Sequence, residues 1–272
     1  MKFFKTTLLT IATAALLLQG CGSDDSDESA SPGTPTQPDF NRAIVGVWNS
    51  DNSEDDLTKI AFFDDGTYVV VQVDEDESET NPDNGMEWGK YNVDKTTGLL
   101  TNSILFDDNG SSGLSDMVTS YAEVIDNKLT LRIDENNNGT IESNESFTFS
   151  RIKSEGYLGY WKNTTTDDSL LALIFTDEAN NGEYDGSYVQ IGVDSAPMMY
   201  NPLNGMEWGN YSVDATTKRL STSQIFDDNG EAGLSDNIMR YLKVSGDTLT
   251  LEFDENQNGA IDSGESLVFQ RQ

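Results

Sequence analysis

KLTLRIDENNNGTIESNESFTFSRI, residues 128–152, is the stretch whose reading decides the fold. Its flanks, KLTLRI and SFTFSRI, alternate apolar and polar side chains, and a period of two marks half-buried strands. The twelve residues between them are rich in Asn, Asp and Gly, the residues of turns. The stretch therefore reads as two strands joined by a long polar loop. The loop returns as DENQNGAIDSGE at 254–265.

More of the chain is duplicated. NPDNGMEWGKYNVD (81–94) recurs as NPLNGMEWGNYSVD (201–214), and FDDNGSSGLSD (106–116) as FDDNGEAGLSD (226–236). Between 81–116 and 201–236, 24 of 36 positions are identical at a constant offset of 120. Gly46-Val47-Trp48 matches Gly159-Tyr160-Trp161 at an offset of 113, so the second copy carries a seven-residue insertion within TDEANNGEYDG. Two domains follow, 43–152 and 156–272; two copies are too few for a solenoid.

In the first copy eight strands are expected, at 45–50, 58–64, 67–74, 86–93, 99–106, 116–125, 128–133 and 146–152. Most connections are short and built from Gly, Asn and Asp, which supply hairpin turns. No segment has sustained helical periodicity with caps. The class is all-β. Eight consecutive short strands point to an up-and-down antiparallel barrel, with a two-sheet sandwich as the alternative.

Each copy also opens on Gly-x-Trp and ends on an arginine that shares a face with apolar residues. These are Phe147, Phe149 and Arg151 in the first copy, and Leu267, Phe269 and Arg271 in the second. With Gly46, Trp48, Gly159 and Trp161, the pattern resembles the calycin signature of lipocalins and their relatives. The resemblance implies a barrel closed by a first-strand Trp packed under a last-strand Arg. Such a stack is a cation–π contact in which a long side chain covers the barrel end. The copies are shorter than typical lipocalins and lack a clear second lipocalin motif, which bears on whether a roomy cavity exists.

The twelve-residue loops resemble EF-hand calcium loops set in a β-hairpin, as in integrin-like propellers. The resemblance implies side-chain oxygens at positions 1, 3 and 5, a carbonyl at 7 and carboxylates at 9 and 12. In the first copy these are Asp134, Asn136, Asn138, the Thr140 carbonyl, Glu142 and Glu145. In the second they are Asp254, Asn256, Asn258, the Ala260 carbonyl, Asp262 and Glu265. All are hard oxygen donors, suited to Ca²⁺ and poor for zinc or copper. The competing reading is a polar turn that binds nothing.

Two other repeated motifs admit two readings each. In FDDNGxxGLSD, Asp107, Asn109 and Asp116 (or Asp227, Asn229 and Asp236) could gather round an ion, or the glycines could serve a tight turn. In NGMEWG, Trp88 or Trp208 could stack on a sugar, or belong to the core.

At the start, Lys2 and Lys5 precede an apolar run from Leu8 to Leu18, too short to span a bilayer. Leu18-Gln19-Gly20-Cys21 resembles a bacterial lipobox. The resemblance implies a signal peptide at 1–20, lipidation of Cys21, and, with Gly22 rather than aspartate next, an outer-membrane location. Cys21 is the only cysteine, so disulfides and cysteine-ligated metals are excluded. Residues 21–42 are rich in Ser, Asp and Pro and read as an extended acidic tether.

Without Lys2 and Lys5, 14 basic residues face 48 acidic ones, a net charge of −34. Such a surface repels nucleic acid and attracts cations. There is no histidine, so the commonest general base and zinc ligand are missing. No nucleophile elbow, phosphate loop or metalloprotease motif is present. The sequence thus reads as a non-catalytic, calcium-binding surface lipoprotein with a structural or binding role. A lipocalin-like carrier of a small apolar ligand is the first alternative, and a carbohydrate-acting enzyme using two acids the second.

Overall fold

The computed structural model describes residues 42–51, 57–74, 83–110, 113–115, 119–134, 138–163, 169–177, 184–194, 204–230 and 233–272. The expected signal peptide, Cys21 and all but the last residue of the expected 21–42 tether lie outside the described residues, as do Asn136 and Asp116. The first repeat forms β1 (Gly46–Ser50), β2 (Leu57–Phe62), β3 (Thr67–Val73), β4 (Gly85–Val93), β5 (Leu99–Asp107), β6 (Ser120–Ile125), β7 (Lys128–Ile133) and β8 (Ser146–Arg151). The second forms β9 (Gly159–Lys162), β10 (Ser169–Thr176), β11 (Asp185–Asp194), β12 (Gly205–Val213), β13 (Arg219–Asp227), β14 (Arg240–Ser245), β15 (Thr248–Phe253) and β16 (Ser266–Arg271). Each set closes into an eight-stranded antiparallel barrel in which sequence neighbours pair and the last strand meets the first. The barrel, not the sandwich, is the architecture. One strand starts later than its composition suggests: β6 begins at Ser120 rather than at 116.

Closure puts Trp48 opposite Arg151 and Trp161 opposite Arg271. The guanidinium carbons lie 4.1 Å and 4.0 Å from the respective ring centres. Both arginines also hold the segment entering their barrel. Arg151 donates to the carbonyls of Val45 (2.6 Å) and Ala43 (2.7 Å), and Arg271 to those of Leu158 (2.6 Å) and Gly156 (2.7 Å). Gly46 is required here, because a Cβ would sit 2.2 Å from the Arg151 guanidinium. Trp, Arg and Gly thus form one plug at the barrel end.

The interiors are filled with large side chains. In the first barrel Trp48, Phe62, Tyr68, Tyr91 and Leu129 meet; in the second Trp161, Phe175, Tyr188, Tyr211 and Leu249 take the equivalent places. Phe62 and Tyr91 stack edge-on at 4.8 Å, as do Phe175 and Tyr211.

A third core lies between the barrels. Along β3, Tyr68 and Val70 point inward while Val69, Val71 and Val73 point out, yet all five are buried. The outward set joins Val47, Met86 and Trp88 against Val189, Ile191, Val193, Met206 and Trp208 of the second repeat. Phe63 stacks on Tyr160 at 4.3 Å, and Lys162 reaches Asp65 at 2.5 Å. Burial pushes the Asp65 carboxyl up, but hydrogen bonds from Lys162 and Thr67 hold it below its ordinary range. Equivalent residues supply much of both sides, so the seam is close to two-fold symmetric.

Candidate functional site

The loop between β15 and β16 is described in full and shows how the candidate ligands are held. Asp254 and Glu265, its first and twelfth residues, are buried. Asp254 Oδ1 accepts the backbone N–H of Asn258 (2.9 Å), and Oδ2 that of Gly259 (2.8 Å). Glu265 accepts from the N–H groups of Asn256 (3.3 Å) and Asp262 (2.7 Å). Asp254 therefore holds the middle of the loop and Glu265 a residue on either side of it, which fixes the curl. Within it, the side-chain amides of Asn256 and Asn258 both donate to Asp262 Oδ2, at 2.9 and 2.8 Å.

The loop between β7 and β8 repeats the pattern. Buried Asp134 accepts from Asn138 N (3.0 Å) and Gly139 N (2.8 Å), and buried Glu145 from Glu142 N (2.8 Å). Asn138 Nδ2 donates to Glu142 Oε1 at 2.8 Å. Gly139 and Gly259 turn the chain with φ of 81° and 85°, the left-handed conformation that glycine accepts most readily. Positions 1, 5, 9 and 12 are thus brought together in both loops, and position 3 in the second. The carbonyls of Thr140 and Ala260 lie in the same curls, directly after the amide at position 5 and the glycine at 6. Among the described residues, no cluster of three or more His, Cys, Asp or Glu side chains forms a metal centre by itself. In each loop carboxylates and side-chain amides lie together.

The other two repeated motifs explain one another. Glu87 of NGMEWG is fully buried inside the first barrel. It accepts from Tyr68 OH, Leu114 N (3.1 Å), Ser115 N (3.1 Å) and Ser115 Oγ. Glu207 accepts from Tyr188 OH (2.5 Å), Leu234 N (2.8 Å), Ser235 N (3.4 Å) and Ser235 Oγ (2.7 Å). The glutamate is a clasp for the GLS segment of FDDNGxxGLSD. That loop covers the barrel wall where β5 and β6 pair only at Leu99–Tyr121 and Leu100–Ser120. Gly113 and Gly233 let the clasp close, since a Cβ there would lie under 2 Å from the carboxylate.

These contacts bear on several sequence readings, Asp116 lying outside the described residues. Asp107 accepts from Asn109 N at 3.2 Å and Asp227 from Asn229 N at 3.0 Å, both as turn contacts. Asp236 pairs with the buried Arg240, whose guanidinium also holds the carbonyls of Leu234 (2.9 Å) and Gly233 (3.2 Å). Asp236 is therefore turned to a cation that the chain itself provides. Trp88 and Trp208 are buried in the inter-barrel core. Grooves of about 690 and about 220 Å³ lie outside the second barrel, the smaller walled by Tyr241, Lys243, Asp254 and Gly259–Ile261.

Comparison with known proteins adds no relative: no family model, curated protein or solved structure matches this chain. The fold defines the class. Two closed β-barrels joined by an apolar seam fit a binding or structural β-barrel protein.

Proposed function

We propose that this protein is a non-catalytic, calcium-stabilised tandem-barrel lipoprotein, anchored to the outer membrane through Cys21. The observation that carries the calcium reading is the curl of 254–265. Asp254 and Glu265 already fix its backbone, and Asn256, Asn258 and Asp262 lie together. Amide N–H groups there answer the Asp262 carboxylate, and a cation would take over that work. The donors are oxygens throughout, as Ca²⁺ requires. Filled interiors, built on Trp48 and Trp161, favour a structural or surface-binding role over carriage of a ligand inside a barrel.

Calcium should stabilise the fold by mass action, about 2.7 kcal/mol per site at a free concentration 100 times Kd. Melting temperature should rise by a few degrees. Magnesium, which prefers strict octahedral geometry and keeps its water, should stabilise less at equal concentration. Asp134→Ala with Asp254→Ala should remove the calcium-specific increment and leave only screening of the acidic surface. Equal effects of both metals, unchanged in the double variant, would show that the loops are turns. The anchor is tested separately: mass spectrometry of membrane-extracted protein should find Cys21 acylated, and Cys21→Ser should release the chain to the soluble fraction.

A further inference from the structure

We propose that the two barrels are clamped at their seam by one proton shared between Asp108 and Asp228, and that losing it loosens the tandem. The two residues occupy the same position in FDDNG of each copy. Asp107 and Asp227, one place earlier, cap their own turns through the Asn109 and Asn229 N–H groups. The second aspartates instead brace the strands of the seam. Asp108 Oδ1 accepts Met86 N at 2.6 Å, and Asp228 Oδ1 accepts Met206 N at 2.5 Å. The near two-fold relation of the barrels then brings the two carboxyls close enough for each to shift the other. A carboxylate has no donor, so a hydrogen bond between them exists only while one of the two carries a proton.

The surroundings keep the proton in place. Met86, Trp88, Met206 and Trp208 make the neighbouring seam apolar. The backbone closes directly onto the carboxyls: a Cβ on Gly85 would lie 2.7 Å from Asp108 Oδ1, and one on Gly205 2.3 Å from Asp228 Oδ1. The nearest charges on the same loops are Asp107 and Asp227, both acidic. On the strands behind, Glu87 and Glu207 are turned into the barrels onto their own clasps, and Lys90 is exposed on β4. The seam's ion pair, Lys162 with Asp65, is made at Phe63 and Tyr160 and is already satisfied. Burial, then the repulsion among these acids, raises the titration of the coupled pair, so the proton between the two carboxyls leaves well above the ordinary carboxylate range.

The sign follows from proton counts. In the folded tandem the pair keeps a proton that the unfolded chain releases near pH 4. The clamp is therefore complete below that range and is lost as pH rises to about 7, so stability falls with rising pH. The chain has no histidine, which leaves this window almost free of ordinary titration.

The test uses the whole chain in calcium-free buffer with ¹³C-carboxyl-labelled aspartate. An aspartate resonance titrating above pH 5.5 and missing in Asp108→Asn is expected. Exchange protection of the Met86 and Met206 amides, corrected for intrinsic rates, should drop several-fold between pH 5 and pH 8. The wild-type melting temperature should fall over the same interval. In Asp108→Asn, whose amide donates without needing a proton, it should stay flat. The wild-type titration decides even if the variant folds poorly. Aspartates that all titrate below pH 5, or a protection profile unchanged with pH, would overturn the clamp.

Discussion

Expressed alone, residues 156–272 should fold but elute from a sizing column as a dimer rather than a monomer. The second barrel has an interior of its own, from Trp161 to Phe269. Removing the first repeat leaves that core whole and bares the outer face. Leu170, Ile174, Val189, Ile191, Met206 and Trp208, all buried in the tandem, would then meet water. At about 1.5–3 kcal/mol per large side chain, the face is worth on the order of 10 kcal/mol as an upper estimate. A patch of this kind is too apolar for a stable monomer. Its near two-fold character supplies the remedy, because a self-complementary face can pair with a second copy of itself. The self-pair should be weaker than the natural seam. Tyr160 would lack its Phe63 stack and Lys162 its Asp65 partner. Adding 43–152 should therefore displace the dimer and rebuild a one-to-one complex. A monomer as heat-stable as the whole chain would refute the role assigned to the seam.

The barrels were legible because their strands alternate cleanly where one face meets water. KLTLRI appears as β7 over Lys128–Ile133, with the apolar positions buried and Lys128 and Arg132 exposed. The Trp48–Arg151 and Trp161–Arg271 closures were legible from a few residues, since a single Trp and Arg at opposite ends of a repeat have few other uses. The seam was harder to see. Its signal is the unbroken run TYVVVQV of β3, and SLLALIFT of β10, where the alternation fails because both faces are covered. Such a run shows that something lies outside, without naming it.

Glu87 and Asp108 were hidden for another reason. Among 48 acids a buried one has no mark in sequence. Burial comes from a loop folding back over a wall left open by β5 and β6, a non-local event. The pairing of Asp108 with Asp228 also needs the seam, so it cannot be read before the seam is known. The twelve-residue loops are the opposite case. Their carboxylates and amides lie within one short segment, so the contacts of Asp254, Asn258 and Asp262 are local ones.

Glu87→Ala should be the most damaging single substitution in the first barrel, lowering its stability by about 4 kcal/mol. The carboxylate, itself fully buried, is the acceptor for buried Leu114 N and Tyr68 OH and for Ser115 N and Oγ at the half-buried edge of the site. Hydrogen bonds to a charged group contribute about 1.5–3 kcal/mol, and each buried donor left unmade costs about 1–3 kcal/mol. Local water entry and loop relaxation would recover part of that sum. A loss of this size is a large share of the roughly 5–15 kcal/mol that holds a typical domain together. Glu87→Gln should fall between wild type and alanine, because its amide keeps one acceptor while its NH₂ opposes the remaining donors. Ser115→Ala removes one of the donors to the carboxylate and should cost about 1.5–3 kcal/mol, less than Glu87→Ala. The second barrel provides the comparison. There Arg240 also holds the 233–236 loop, through the carbonyls of Gly233 and Leu234 and the Asp236 carboxylate, whereas the first barrel has Ser120 at that position. Glu207→Ala should therefore cost less than Glu87→Ala. Urea unfolding of both variants in the full chain reads the order directly. If Glu207→Ala proves the more harmful, it is Arg240 that depends on the glutamate, and the loop is held from the other side.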